Sequence, residues 1–236
     1  MEKQNLFEEF QKHLMGDVKP SGFFNQWLED AKFIEEYPYK MLTDLMKVDQ
    51  SPQHHPEGNV WNHTMMVVDH AAGRKDQSED ARVFMWAALL HDLGKAPTTK
   101  VRKGRITSYD HDLVGARMAE DFLKEFTQES DFVKKVSRLV RWHMQILFVV
   151  KELAFADLEG MTTEVTVNEM ALLSLCDRLG RGNLTQEKIQ EECENIRIFL
   201  RKCEEYLNKK GLSYAVRPFE FKCQEENSTE DNDPNT

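Results

Sequence analysis

Apolar residues recur at three- and four-residue intervals along almost the whole chain, and no stretch sustains the alternation of a half-buried strand. This pattern predicts an all-α protein. Helices are expected over Asn5–Met15, Phe23–Glu36, Lys40–Val48, Val60–Ala72, Glu79–His91, Asp112–Phe126, Asp131–His143, Thr166–Gly180 and Thr185–Asn208. Ser78 is placed to cap the helix whose apolar face carries Val83, Trp86, Ala87 and Leu90, and Ser130 or Asp131 to cap the one carrying Val133, Val136, Leu139 and Val140. Gly94, Pro97 and Gly104 mark a long loop, and the run Ser51 to Gly58 is turn chemistry that divides the N-terminal helices from the rest. Trp27, Trp61, Trp86, Trp142, Met65 and Met66 read most simply as core.

With 236 residues, 40% of them hydrophobic and 31% charged, the composition is that of a globular chain with a sizeable core. The longest strictly apolar stretch, Val83 to Leu90, falls far short of the ~20 residues a membrane-crossing helix needs. A net charge of −10 disfavours general attraction to a nucleic-acid backbone or an anionic membrane, so any phosphate site must be local. Five of the acids fall between Gln224 and Thr236 with no base among them, and residues 223–236 are expected to form a disordered acidic tail. Residues 1–222 are expected to form a single domain with its motif-bearing core at 54–182. Met1 to Phe10 shows no apolar signal segment, which makes the cytoplasm the expected compartment. There, Cys176, Cys193, Cys203 and Cys223, which lack metal-site spacing, read as reduced thiols.

The chemistry concentrates at the expected helix ends. His63 opens one helix, His91 and Asp92 close the next, His111 precedes a third, His143 ends a fourth and Asp177 lies near the end of a fifth. Each residue alone reads as a cap or a satisfied core group, but six together make a ligand inventory. Imidazole and carboxylate suit Mn, Fe, Co, Ni or Zn, and no well-placed Cys argues for a thiolate site. The apolar run ending at Leu90 leads straight into His91 and Asp92, whose desolvation is costly unless something coordinates them. Gly94 either permits a close backbone approach or caps the helix. Lys95 either faces a phosphate beside the centre or is solvated. His70, seven residues after His63 on nearly the same helix face, reads as packing, and Arg141 and Arg178 read as salt-bridge partners.

These residues resemble the HD-domain metal-dependent phosphohydrolase superfamily. The likeness rests on His63 in His-Thr-Met-Met-Val-Val-Asp, on His91-Asp92-Leu-Gly-Lys95, on His111 in Tyr-Asp-His-Asp-Leu-Val-Gly-Ala, on Leu-Val-Arg-Trp-His143 and on Asp177 in Cys-Asp-Arg-Leu-Gly-Arg. His54-His55-Pro56-Glu57-Gly58, just before the first ligand helix, makes the chain most similar to the HD domain of bacterial multifunctional tRNA nucleotidyltransferases. Two departures stand out. Fewer than 60 residues precede His54, so no nucleotidyltransferase domain and no tRNA end-synthesis are expected, and Asp110 stands where related sequences commonly carry a small residue.

The resemblance implies an HD-domain helical bundle with additional N- and C-terminal helices. It further implies that His63, His91, Asp92 and Asp177 hold one divalent ion, with Asp92 bridging to a second held by His111 and His143. Manganese, iron, cobalt, nickel, magnesium and zinc are not distinguished. Asp92 and Lys95 are the expected catalytic groups, and His54, His55, Lys95, Arg102 and Lys103 the expected substrate contacts. Between Lys95 and Arg105 lie five bases and no acid, which reads either as a collector for anionic substrates or as a solvated loop. The expected activity is metal-dependent hydrolysis of a phosphomonoester or phosphodiester in a nucleotide, cyclic nucleotide or RNA end. The competing reading is a non-catalytic metal- or nucleotide-binding module. The last helix is expected either to cap the core or to offer a dimer surface.

Overall fold

A computed structural model describes residues 3–30 and 33–212. Among these the chain is all-α apart from one small hairpin, as the apolar periodicity predicts. Helix α1 (Lys3–Gly16) and α2 (Ser21–Glu29) come first, followed by the short α3 (Lys40–Thr43), which tightens into a 3₁₀ turn over Asp44–Lys47. The expected single helix Lys40–Val48 is therefore two pieces, and the expected helix Phe23–Glu36 stops at Glu29. The central set is α4 (Val60–Ala72), α5 (Ala81–Leu90), α7 (His111–Lys124), α8 (Ser130–Trp142) and α11 (Val167–Leu179), with α6 (Lys95–Thr98) following α5 and α12 (Gln186–Lys209) at the end. Two short helices that the sequence pattern did not reveal, α9 (Gln145–Val150) and α10 (Leu158–Glu164), fill the connection between α8 and α11.

Helix α5 is buried on every side from Val83 to Leu90, so it forms the axis around which α1, α4, α8 and α11 pack. Its start is capped by Asp80, whose carboxylate accepts from Val83 N. Ser78, the expected cap, instead donates to Glu169 on α11 at 2.8 Å and accepts from Asp80 N at 3.1 Å. Likewise α8 begins at Ser130, with Glu129 in the cap position and no side-chain cap bond. The last helix, α12, lays its apolar stripe on α9 and α11 and covers the core. Residues 213–236, including the expected acidic tail, lie outside the described residues.

An aromatic hub fills the space between α1, α2 and α3. The Phe10 ring meets the edges of Phe24 at 4.8 Å, Trp27 at 5.0 Å and Tyr39 at 5.4 Å, while Phe7 stacks on Trp86 at 4.8 Å. Among the described residues no helix is long and apolar enough to cross a membrane. Cys176 and Cys203 are free, but Cys193 is disulfide-bonded, which corrects the expectation of four reduced thiols. Spacing in sequence carries no information about which sulfur atoms approach one another.

The one strand pair corrects the expectation of an unstructured loop. β1 (Lys100–Arg102) and β2 (Arg105–Thr107) pair antiparallel, Val101 opposite Ile106 and Arg102 opposite Arg105. Their two-residue turn places Lys103 at φ 50° and Gly104 at φ 73°, the left-handed pair that a tight hairpin requires. Three residues per strand are too few to register as an alternation.

Candidate metal centre

Five helices deliver one candidate residue or pair each to a common point. His63 lies in the first turn of α4, His91 is the C-cap of α5 with Asp92 directly after it, His111 is the first residue of α7, His143 is the C-cap of α8 and Asp177 lies in the last turn of α11. His63, His91, Asp92, His111 and His143 are all buried. Gly94 is the packing device that brings two of these ends together. Its φ is −65°, so it is not left-handed; a Cβ there would overlap the His111 carbonyl oxygen and stand 2.6 Å from Gly115 N. Of the two readings of Gly94, close backbone approach is the one observed.

The imidazoles are held in a single orientation. Nδ1 of His91 lies 2.9 Å from Ala88 O, Nδ1 of His111 2.7 Å from Ser108 O, and Nδ1 of His143 2.7 Å from Val140 O. A carbonyl oxygen only accepts, so each Nδ1 must donate, and in the neutral ring each Nε2 is then a bare lone pair. His63 obeys the same rule, with Nδ1 between Gly180 O at 3.2 Å and Glu57 Oε1 at 3.0 Å. All four Nε2 atoms converge on Asp92: His63 at 3.8 Å and His91 at 3.2 Å from Oδ2, His111 at 3.6 Å and His143 at 3.8 Å from Oδ1. His63 Nε2 also meets Asp177 Oδ1 at 3.0 Å.

Electrostatics sort the protonation states. Burial pushes the imidazoles of His111 and His143 down, the latter to about 4, so both are neutral near pH 7. Their Nε2 atoms then face each other at 3.2 Å, lone pair against lone pair. Burial opposes ionisation of Asp92, but Lys95 and His91 outweigh it and hold the carboxyl well below the usual range. Asp177 is held low by His63 in the same way. His63 differs from His111 and His143: burial opposes its charge, yet hydrogen bonds to Asp177 and Glu57 raise its pKa to about 9.

This arrangement fits a divalent cation. The donor atoms divide into two compact groups that share Asp92, namely His63, His91 and Asp92, and Asp92, His111 and His143. His91 Nε2 and Asp92 Oδ2 are buried with no hydrogen bond of adequate geometry, although Lys95 Nζ approaches Oδ2 to 2.8 Å. Orphaned buried polar atoms are costly unless a partner completes them. An ion at His63 would displace the proton that Nε2 shares with Asp177.

The other expected site residues separate. His55 is half-buried, its Nδ1 2.8 Å from Glu57 Oε1 and its ring edge-on to His63 at 4.9 Å, whereas His54 is exposed in the turn. Lys95 donates to Gln50 Oε1 at 2.7 Å beside Asp92. Arg102 and Lys103 are exposed on the hairpin and outside the buried cluster, with Arg102 over the Tyr109 ring at 5.5 Å. Asp110 is exposed in the left-handed region at φ 60°, a backbone position that suits a small residue and that Asp tolerates. Arg141 pairs with Asp112 at 2.6 Å and Arg178 with buried Glu192 at 2.7 Å, as their salt-bridge readings expect.

Glu57 and Gln50 escaped the sequence reading. Glu57 spans His55, His63 and Gly182 N, and so orients the first ring of the centre, while buried Gln50 fixes Lys95. The only signal for Glu57 was its place in the His-His-Pro-Glu-Gly turn, because ligating histidines generally need an acceptor for their second nitrogen.

Comparison with known proteins agrees with this geometry. The sequence model of the HD domain matches residues 60–182, the span that carries all six candidate ligands. The chain is 42% identical over 101 residues to the Multifunctional CCA protein of Halorhodospira halophila, covering 42% of this chain and 23% of that protein. It is 32% identical over 185 residues to the Multifunctional CCA protein of Azoarcus sp. (strain BH72), covering 76% and 43%. With that of Janthinobacterium sp. (strain Marseille) it shares 28% identity over 194 residues, covering 81% and 41%. The chain spans less than half the length of these relatives.

Proposed function

The chain belongs to the HD domain family, and from that membership we propose that it is a divalent-metal phosphohydrolase acting on a phosphomonoester or phosphodiester of a nucleotide, cyclic nucleotide or RNA end. The observation that carries the proposal is the convergence of four Nε2 atoms on Asp92, with His91 Nε2 buried without a hydrogen bond. Such donors suit an ion held by His63, His91, Asp92 and Asp177, and a second held by Asp92, His111 and His143. Bound there, divalent ions supply an activated water nucleophile and neutralise charge on phosphate oxygens.

The chain's own residues do the rest. Glu57 and the carbonyls of Ala88, Ser108 and Val140 lock the ring orientations in advance, so no reorganisation is needed at the moment of reaction. Lys95 Nζ, held by Gln50, is placed to take a phosphate oxygen and to offset the charge that develops on it. His55 lines the approach, and His54, Arg102 and Lys103 are the outer candidates for substrate contact. The resemblance to the HD domain of multifunctional tRNA nucleotidyltransferases is our ground for favouring a 2′,3′-cyclic phosphodiester or a phosphate monoester.

Protein loaded in turn with manganese, iron, cobalt, nickel, magnesium or zinc is to be screened against bis(p-nitrophenyl) phosphate, phosphomonoesters and 2′,3′-cyclic nucleotides. The expected result is turnover of at least one class, lost on chelation and lost in Asp92→Ala. Absence of hydrolysis with every ion contradicts the proposal and favours a non-catalytic binding module.

A further inference from the structure

The basic hairpin has a one-sided chemistry that the centre itself does not explain. In an antiparallel pair, residues directly opposite share a face and successive residues alternate. The register Lys100 with Thr107, Val101 with Ile106 and Arg102 with Arg105 therefore puts Lys100, Arg102 and Arg105 on one face, and Val101 with Ile106 on the other. Arg102 on the basic face lies over the ring of Tyr109 at 5.5 Å. That ring is 62% exposed, an unusual place for a large aromatic side chain with no core to join. None of Lys100, Arg102, Lys103 and Arg105 has an ion-pair partner among the described residues, in a chain of net charge −10.

The hairpin is also tied to the centre. Thr99 and Ser108 close its base through a 2.7 Å hydroxyl contact, and the Ser108 carbonyl accepts from His111 Nδ1. Tyr109 stands between that carbonyl and His111, so its Cα lies within about 7.6 Å of the His111 Cα.

We infer that Tyr109 and the basic face of the hairpin form a nucleotide-binding ledge beside the metal centre. The base of the substrate stacks on Tyr109, with Arg102 on the same ring, and the phosphates meet Lys100, Arg102 and Arg105. The inference rests on the centre taking a phosphate ester, and it makes the ester a nucleotide. A flat, exposed aromatic face with flanking cations accepts any base and reads the backbone by charge. Apolar docking of a protein partner is disfavoured here, because the Arg102 guanidinium lies over the ring. The shared chemistry covers a free mononucleotide and the end of a single strand.

Binding separates these cases without relying on turnover. The full chain is titrated into 1,N6-ethenoadenosine monophosphate, followed by fluorescence, and into a fluorescein-labelled six-residue oligoadenylate, followed by anisotropy, each at several salt concentrations. Tyr109→Ala is expected to weaken binding about tenfold, whereas Tyr109→Phe, which keeps the ring, stays within about twofold of the parent. Arg102→Ala with Arg105→Ala is expected to flatten the salt dependence. Equal effects on both probes support a mononucleotide ledge, and tighter, more salt-dependent oligoadenylate binding supports a strand end. Unchanged affinity of Tyr109→Ala for both probes, in protein of unaltered helical circular dichroism, overturns the inference. In Asp92→Ala, Tyr109-dependent binding is expected to persist, so failure of the hydrolase reading and failure of the ledge give different results.

Discussion

Phe10 and Asp92 are both buried, but their surroundings are opposites. Around Phe10 the edges of Phe23, Phe24, Trp27 and Tyr39 close in, and the polar tips nearby are satisfied: the Tyr39 hydroxyl donates to Lys3 O at 2.7 Å and the Trp86 indole to Gln11 Oε1 at 2.6 Å. Around Asp92 stand four imidazoles and an ammonium group, with the buried His91 Nε2 left without a hydrogen bond. The hub lowers the free energy of folding by excluding water from apolar surface. The centre contributes no such burial, and its desolvated polar groups must be offset by one another. Such a site persists because the helices that converge on it are fixed elsewhere, and the unbonded His91 Nε2 is what a cation would complete. Stability and chemistry thus occupy different ends of one core.

The largest effect expected from breaking this comparison is on the apolar side. Phe10→Ala should cost about 3–5 kcal/mol through lost burial and the cavity left behind, read as a fall in the denaturation midpoint. Metal stoichiometry of the remaining folded protein should be unchanged. A cost below about 1 kcal/mol would show that the hub is not the source of stability.

Glu57→Gln tests the polar side. It keeps the shape but removes the negative charge that faces Nδ1 of both His55 and His63. Metal affinity measured by titration calorimetry should drop about 10- to 100-fold, the range for loss of a group that orients a ligand. The folded fraction should stay intact, and an unaltered affinity would remove Glu57 from the centre.

The smallest effect compares two histidines on one helix. His63 is raised to about 9 by its carboxylate partners, whereas His70, two turns on, is lowered to about 4 by burial with Arg74 nearby. For His70 the folded state resists the proton that the unfolded chain accepts at its ordinary value near 6.5. Stability should therefore fall as pH drops from about 6.5 to about 4 and level off below, by at most about 3 kcal/mol, less what the ring's partial exposure screens away. Urea unfolding of the parent and of His70→Gln across that range checks this. The parent should lose stability relative to His70→Gln as the pH falls, and parallel curves would contradict it.

The sequence disclosed the centre better than the ledge around it, for a physical reason. His63, His91, Asp92, His111, His143 and Asp177 announce themselves because polar groups at the ends of apolar helices demand a partner. The helices were legible through their buried faces, as with Val83 to Leu90 in α5. Boundaries failed where caps depend on tertiary neighbours, as when Glu169 draws Ser78 away from α5 and leaves Asp80 to cap it. The hairpin escaped because its strands are three residues long. Glu57 escaped because nothing local in the sequence says which acid reaches the second nitrogen of a histidine six positions away. The bond at Cys193 escaped for the same reason, being a matter of approach in space.

The most direct test is to count ions in crystals of the full chain purified without chelator, by collecting anomalous scattering above and below the metal absorption edges. Anomalous density is expected within coordinating reach of Asp92, on the side of His63 and His91, on the side of His111 and His143, or on both, and it should vanish in Asp92→Ala. Crystals with no anomalous density near Asp92, or with the same density after that substitution, would contradict the assignment of these side chains to a metal centre.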